Sequence, residues 1–273
     1  MNYLKTGVLM VVMAGLFLVI GHLLGGMNGV LIALFLALAF NVGTFFYGEK
    51  MALKFVRARP LARHEAPWLH ELNDELSRRA GMPPAKLHVS PDPQPNAFAC
   101  GRGPGHASIC VNAGLLNNLD RREVAGVLAH EIAHVKHRDT LIMTIVATVA
   151  TAITFLAYFA LFFGGRDRNP IVGLVIFLLA PIAATIVQMA VSRAREYAAD
   201  ARAAHLLKDP LPLADALESL SVGTERVRSP VAQQQTAHMY IANPLSGRGM
   251  SKLFSTHPPM QERVRRLRAM KVA

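Results

Sequence analysis

The chain has 273 residues, 52% hydrophobic and 17% charged, with a formal net charge of +11 and a mean hydropathy of +0.30. It is too apolar for an ordinary soluble enzyme and too charged for a purely membranous chain. The basic excess by itself would suit nucleic acid, but its placement excludes that partner: 13 Lys and Arg fall in 49–140, 13 in 192–273, and only Arg166 and Arg168 between the later apolar stretches.

Residues 6–24 and 27–47 carry no charged side chain. Each is about 20 residues long, enough to cross a bilayer core of about 30 Å as a helix. The first reads as a signal anchor and not as a cleaved leader. Lys5 precedes it, no small-x-small site in a polar setting follows, and Gly25-Gly26-Met27-Asn28-Gly29 leads straight into the second stretch. Residues 66–80 place Leu69, Leu72 and Leu76 on one helical face, closed by Gly81 and Pro83-Pro84. A short strand is expected at 86–90. Strands at 96–100 and 107–111 flank Gly101-Arg102-Gly103-Pro104-Gly105 as a hairpin with a glycine-rich turn. A dinucleotide loop is excluded there, because His106 stands where the third glycine is needed and a strand pattern follows.

Asp120 and Glu123 have capping-box spacing. Nothing after Arg121 breaks the helix, so one rod is expected over 121–163, including the third uncharged stretch, 141–163. The fourth, 171–191, continues beyond Pro181 without Pro or Gly into Ser192-Arg193-Ala194-Arg195-Glu196-Tyr197-Ala198-Ala199-Asp200. Residues 223–250 show little pattern. Thr256-His257-Pro258-Pro259 then precedes a basic helix at 260–270.

This divides the chain into an N-terminal transmembrane hairpin (1–48), a first basic part (49–140), a second transmembrane hairpin (141–191) and a last, also basic part (192–273). The positive-inside pattern puts both basic parts in the cytoplasm, where some of their charge meets anionic lipid heads. Cys100 and Cys110 then lie in a reducing compartment and are expected as free thiols.

The chemistry centres on His130-Glu131-Ile132-Ala133-His134. On a helix the two histidines fall one turn apart on one face, so both imidazoles reach one metal ion, and Glu131 stays close enough to take a proton from its water. A catalytic zinc site wants a third protein ligand and an open position. The zincin pattern with a distal histidine is absent, since His137 occupies the glycine position and Thr140 the histidine position. His137 shares the face and stays a candidate. Glu196 is the stronger one: two antiparallel spans return the chain to the side it left, with His134 and Glu196 each about 10 Å from the membrane boundary. The plainer reading of Glu196 is a helical partner for Arg193 or Arg195. Asp200, one turn on, suits an acceptor for a ligand-histidine N–H or a buried arginine, or a surface charge.

These features in this order resemble the HtpX-type membrane zinc metalloproteases, relatives of the CAAX prenyl proteases, over nearly the whole chain. The resemblance rests on the two N-terminal spans, Pro95-Asn96-Ala97-Phe98-Ala99, the motif at 130–134, a hairpin of two spans, Ser192-Arg193-x-x-Glu196 with Ala199-Asp200, and His257-Pro258-Pro259. Cys100 departs from it, where relatives often carry a small or hydroxyl residue. The resemblance implies His130, His134 and Glu196 as ligands of one zinc ion, Glu131 as catalytic base, and supporting roles for Asn96 and His257 near the bound peptide.

The expected fold is mainly α with a small β-sheet, a zincin-like α+β catalytic domain with four transmembrane helices. The expected activity is zinc-dependent endoproteolysis. Glu131 deprotonates the attacking water and passes the proton to the leaving amine, and His257 donates to the oxyanion. The strand from Asn96 through Ala97, Phe98 and Ala99 offers an edge to an extended substrate. His-Pro-Pro is also an ordinary helix start, and Asn96 an ordinary turn residue. By resemblance the substrates are misfolded or damaged membrane proteins, cleaved on the cytoplasmic side of a bacterial inner membrane under stress. The alternatives are a CAAX-type prenyl protease and a non-proteolytic membrane metal-binding protein. Against the latter, transporters place polar ligands near the bilayer midplane, and these four spans carry no acidic residue.

Overall fold

The computed structural model describes residues 2–139, 142–143, 146, 150, 153–154, 170–227, 229–230, 240–242 and 258–272. Most of the third apolar stretch, and His257, lie outside the described residues. Two compact units emerge: 1–45 with 142–194, and 46–141 with 195–273.

The first unit takes in most of α1 (Asn2–Phe55) and the first part of α5 (Pro170–Leu207). Within α1 two helices join at Gly26, whose φ of 58° and ψ of −141° suit a residue without a β-carbon. Leu31, Phe35, Ile171, Leu174 and Leu178 are exposed on these helices, the reverse of what water favours. Among the described residues, Phe177–Leu207 is long and apolar enough to cross a membrane.

The second unit is helical around a four-stranded mixed sheet of order β1-β2-β4-β3: β1 is Arg59–Pro60, β2 Lys86–Ser90, β3 Ala97–Gly103 and β4 His106–Asn112. The β1–β2 and β3–β4 pairs are antiparallel and β2–β4 is parallel, which leaves β3 at an edge. The hairpin strands run further into the glycine-rich segment than its composition suggests. Gly101 and Gly103, at φ 116° and 138°, form a bulge inside β3, and Pro104-Gly105 makes the turn. A β-carbon on Gly101 would lie 2.1 Å from the His106 carbonyl oxygen, so no larger residue fits.

Helix α2 (Pro67–Arg79) buries Leu69 and Leu76. A short helix, α3 (Ala113–Asn118), follows β4 directly, and α4 (Arg121–Lys136) follows that. Both halves of the α4 capping box form: Asp120 Oδ1 accepts from Glu123 N–H at 2.7 Å, and Glu123 Oε2 accepts from Asp120 N–H at 2.9 Å. Val124, Val127, Leu128, Ile132 and Val135 of α4 share one core with Leu213, Leu217 and Leu220 of α6 (Leu211–Arg226), which packs on α4 and also on α7 (Met260–Arg268), whose Val264 and Leu267 join the same core. Each such side chain contributes about 1.5–3 kcal/mol on full burial. Gly126 permits the approach, since a β-carbon there would come within 2.6 Å of the Pro212–Leu213 backbone.

One expectation is corrected. The metal-motif helix does not continue as a rod toward 163: α4 stops at Lys136, and Arg138 takes a left-handed φ of 55°. That conformation costs about 1–2 kcal/mol for a residue with a β-carbon. The offsetting gain is Asp139, which the break turns into the interior at 1% exposure, against Arg195 and His134. Neither Gly nor Pro marks the site, so local sequence does not announce it.

Candidate metal centre

One turn of α4 separates His130 from His134, and their Nε2 atoms face each other at 3.0 Å with the rings edge to face. Glu196, on α5, completes the group: its Oε1 lies 3.3 Å from His134 Nε2 and its Oε2 3.6 Å from His130 Nε2. One donor atom from each residue lies within 4.8 Å of the others. Tetrahedral zinc with bonds of about 2.0–2.1 Å would hold its donors about 3.3 Å apart, so the spacings fit. Two imidazole nitrogens and a carboxylate oxygen converging in a buried site are also the right donor types for that ion.

The far nitrogen of each imidazole is backed by a carboxylate. His130 Nδ1 lies 3.0 Å from Asp200 Oδ1, and His134 Nδ1 hydrogen-bonds Asp139 Oδ2 at 3.1 Å. A proton on Nδ1 leaves Nε2 as a lone pair aimed at the shared point. Asp200 is gripped in turn by Arg263, Nε to Oδ2 at 2.9 Å and Nη2 to Oδ1 at 2.7 Å, and Arg263 Nη1 also stands 3.2 Å from Glu196 Oε2. Burial works to raise the Asp200 pKa, but the charge and hydrogen bonds of Arg263 bring it below the ordinary carboxylate value. For Arg263 burial works to lower the pKa, and Asp200 and Glu196 reverse that and raise it.

Glu131 is 2% exposed beside the three donors. Burial raises its pKa against the opposing influence of His130 and His134, and its carboxylate accepts a hydrogen bond from the Ala99 N–H. This ties the base to edge strand β3. Ala97, Phe98 and Ala99 are all buried. Asn96, fully buried, grips a segment of the same chain: its Nδ2 donates to the Ala242 carbonyl at 2.6 Å and its Oδ1 accepts from Ala242 N–H at 3.1 Å. Ile241 N–H donates to the Ala97 carbonyl at 3.0 Å, Arg263 Nη1 donates to the Ile241 carbonyl at 3.0 Å, and Tyr240 packs edge to face on Phe98. The start of β3 is thus lined by Tyr240, Ile241 and Ala242.

His137 caps the C-terminus of α4 and is not part of the three-residue cluster; burial and then nearby cations lower its pKa. Its carbonyl accepts from Arg195. Sequence reading passed over Asp139, Arg195 as its partner, and Arg263. The signal for Arg263 was available, since it lies four residues before Leu267 and next to Val264 on the buried stripe of α7. For Asp139 there was none beyond its nearness to His134.

The profile of peptidase family M48 matches residues 63–271. The chain is 49% identical over 272 residues to the protease HtpX homolog of Salinibacter ruber, covering 99% of this chain and 98% of that one. It is 48% identical over 282 residues to the homolog of Persephonella marina, covering 99% and 98%, and 46% over 276 residues to that of Paraburkholderia phytofirmans, covering 98% and 97%. Among solved structures, the crystal structure of S. mikatae Ste24p matches with a TM-score of 0.57 at 22% identity, covering 93% of this chain and 62% of that one, a likeness of fold.

Proposed function

We propose, on the premise that this chain belongs to peptidase family M48 and is a metallopeptidase, that it is an integral-membrane zinc endopeptidase of a bacterial inner membrane. Its active site faces the cytoplasm, and its substrates are misfolded or damaged membrane proteins. The observation that carries the reading is the convergence of His130, His134 and Glu196 within 4.8 Å, with Glu131 buried beside them. Four spans, at 6–24, 27–47, 141–163 and 171–191, carry the chain across the bilayer. Exposed Phe35, Ile171 and Leu178 support that placement, because such side chains are stable against lipid and not against water.

His130, His134 and Glu196 hold the zinc, which when bound supplies Lewis acidity and makes water a nucleophile near neutral pH. Glu131 acts as general base and acid. Its buried place beside the three donors suits both halves of the task, accepting a proton from the attacking water and giving it to the leaving amine. The Ala99 N–H orients that carboxylate. An extended substrate lies beside β3, the edge strand; the Ala97 carbonyl and the Ala99 N–H are already taken by Ile241 and Glu131, so Ala97, Phe98 and Ala99 shape the groove and leave strand pairing to other positions. Asn96 serves this groove by anchoring Ala242 beside its start. His257 donates to the developing oxyanion.

The test is incubation of the purified, zinc-loaded full-length protein in detergent with an unfolded polypeptide, following fragments by electrophoresis and mass spectrometry. Internal cleavages that stop on chelation and return with zinc are expected. Absence of cleavage from a zinc-replete, folded preparation overturns the endopeptidase reading. Cleavage confined to prenylated tails redirects it to the CAAX-type alternative.

A further inference from the structure

Behind His134 lies a cluster that the proposed chemistry does not use. Asp139 is 1% exposed, and its Oδ2 hydrogen-bonds His134 Nδ1 at 3.1 Å. Its other oxygen is met by Arg195, and Arg202 Nη1 stands 3.6 Å from Oδ2. Arg195 is itself buried, immediately precedes Glu196 on α5, and also donates to the His137 carbonyl in the turn after α4. Two of the three candidate ligands therefore meet at one carboxylate: His134 directly, and Glu196 through its neighbour in the chain. The left-handed Arg138 is what carries Asp139 inward to make these contacts.

We propose that Asp139 is a positioning residue for the metal centre. It fixes the His134 imidazole with Nε2 toward the ion and, through Arg195, holds the Glu196 turn of α5 against the turn that follows α4. Ligand histidines backed by a carboxylate are held in one tautomer and ring orientation, and loss of such a partner commonly lowers metal affinity about 10- to 100-fold. The arrangement matches the one on the other imidazole, where Asp200 backs His130 and Arg263 grips Asp200. Each imidazole has its own carboxylate, and each carboxylate its own arginine. The inference rests on the metal-site reading above.

The test uses full-length protein in detergent, with Asp139→Ala, Asp139→Asn and Glu196→Ala compared with the unsubstituted chain. Zinc affinity is read by competition with a chelator, and the ligand field by the visible spectrum of the cobalt-substituted protein. Asp139→Ala should bind zinc about 10- to 100-fold more weakly and shift the cobalt bands. Asp139→Asn keeps an oxygen able to accept from Nδ1–H and should lose less than about tenfold, with the cobalt spectrum largely restored. This conservative variant also serves should Asp139→Ala fail to fold. Unchanged affinity and spectrum in Asp139→Ala, or equal losses in both Asp139 variants, overturn the proposal. If Glu196→Ala loses zinc while Asp139→Ala keeps it, only the positioning role fails. If Glu196→Ala also keeps zinc, the metal-site reading fails with it.

Discussion

Arg263 and Asp200 meet in a two-point fork, Nε to Oδ2 and Nη2 to Oδ1, with the arginine wholly buried and the aspartate 3% exposed. Breaking such a pair from one side leaves a charge stranded in the interior, at about 3–5 kcal/mol. Arg263→Ala should therefore unfold at markedly lower denaturant or temperature. Arg263→Lys should recover little, because an ammonium cannot span both oxygens. The pair also sets an acid limit. The Asp200 pKa lies below its unfolded value of 3.8, so its stabilisation is present above pH 3.8 and is lost as the pH falls through the lower, folded value. A melting profile of Arg263→Ala indistinguishable from the unsubstituted protein would show that the fork adds nothing net.

Glu131→Gln should leave zinc content and fold intact while removing peptidase activity by about 10²–10⁴-fold, the usual contribution of a positioned general base. Shape and the hydrogen bond to Ala99 are largely kept; the proton acceptor is not. Turnover near the starting rate in a zinc-replete Glu131→Gln preparation would assign the base to another residue.

Metal content separates Glu196 from His137. Glu196→Ala should lose most of its zinc on dialysis, because two imidazoles alone make an incomplete site. His137→Ala, altering a residue at the end of α4 and outside the donor cluster, should keep about one zinc per chain, the stoichiometry of a single tetrahedral site. Circular dichroism in the same detergent excludes unfolding as the cause. The opposite pattern would move the third ligand onto the helix of the first two.

The two native thiols should be silent in the folded protein. Burial raises the pKa of Cys100, and lifts that of Cys110 to about 12, so neither forms the reactive thiolate at neutral pH. Maleimide should label both only after denaturation; labelling of the folded chain would contradict their burial.

That silence allows a topology experiment on a chain lacking both thiols. Single cysteines at Asn169 and at Gly105, an exposed turn position with room for a side chain, should label on opposite sides of the membrane with an impermeant reagent, because 13 basic residues lie in each of the two flanking parts and only two near Asn169. Equal labelling at the two positions would remove the four-span topology.

Where information is local, the sequence was readable. The α4 capping box, the strand at Lys86–Ser90, the two-histidine turn and the break near Gly26 each depend on residues within a few positions of one another. Spacing along a helix fixes which side chains share a face, so His130 and His134 had to converge if the segment was helical at all. The apolar stretches were equally legible, since length and absence of charge are linear properties.

What tertiary structure decided is which distant groups answer these local ones. The end of α4 at Lys136 carries no Gly or Pro; it persists because Asp139 finds Arg195 from another helix. Arg263 read as one more charge in a basic helix, and only packing shows it buried on the stripe with Val264 and Leu267, bound to Asp200. Asn96 read as a turn residue or a peptide contact, and the fold gives it the backbone of Ala242. A buried charge is stable only with its partner, and the partner's address is set by how elements cross in space, which periodicity along one element does not encode.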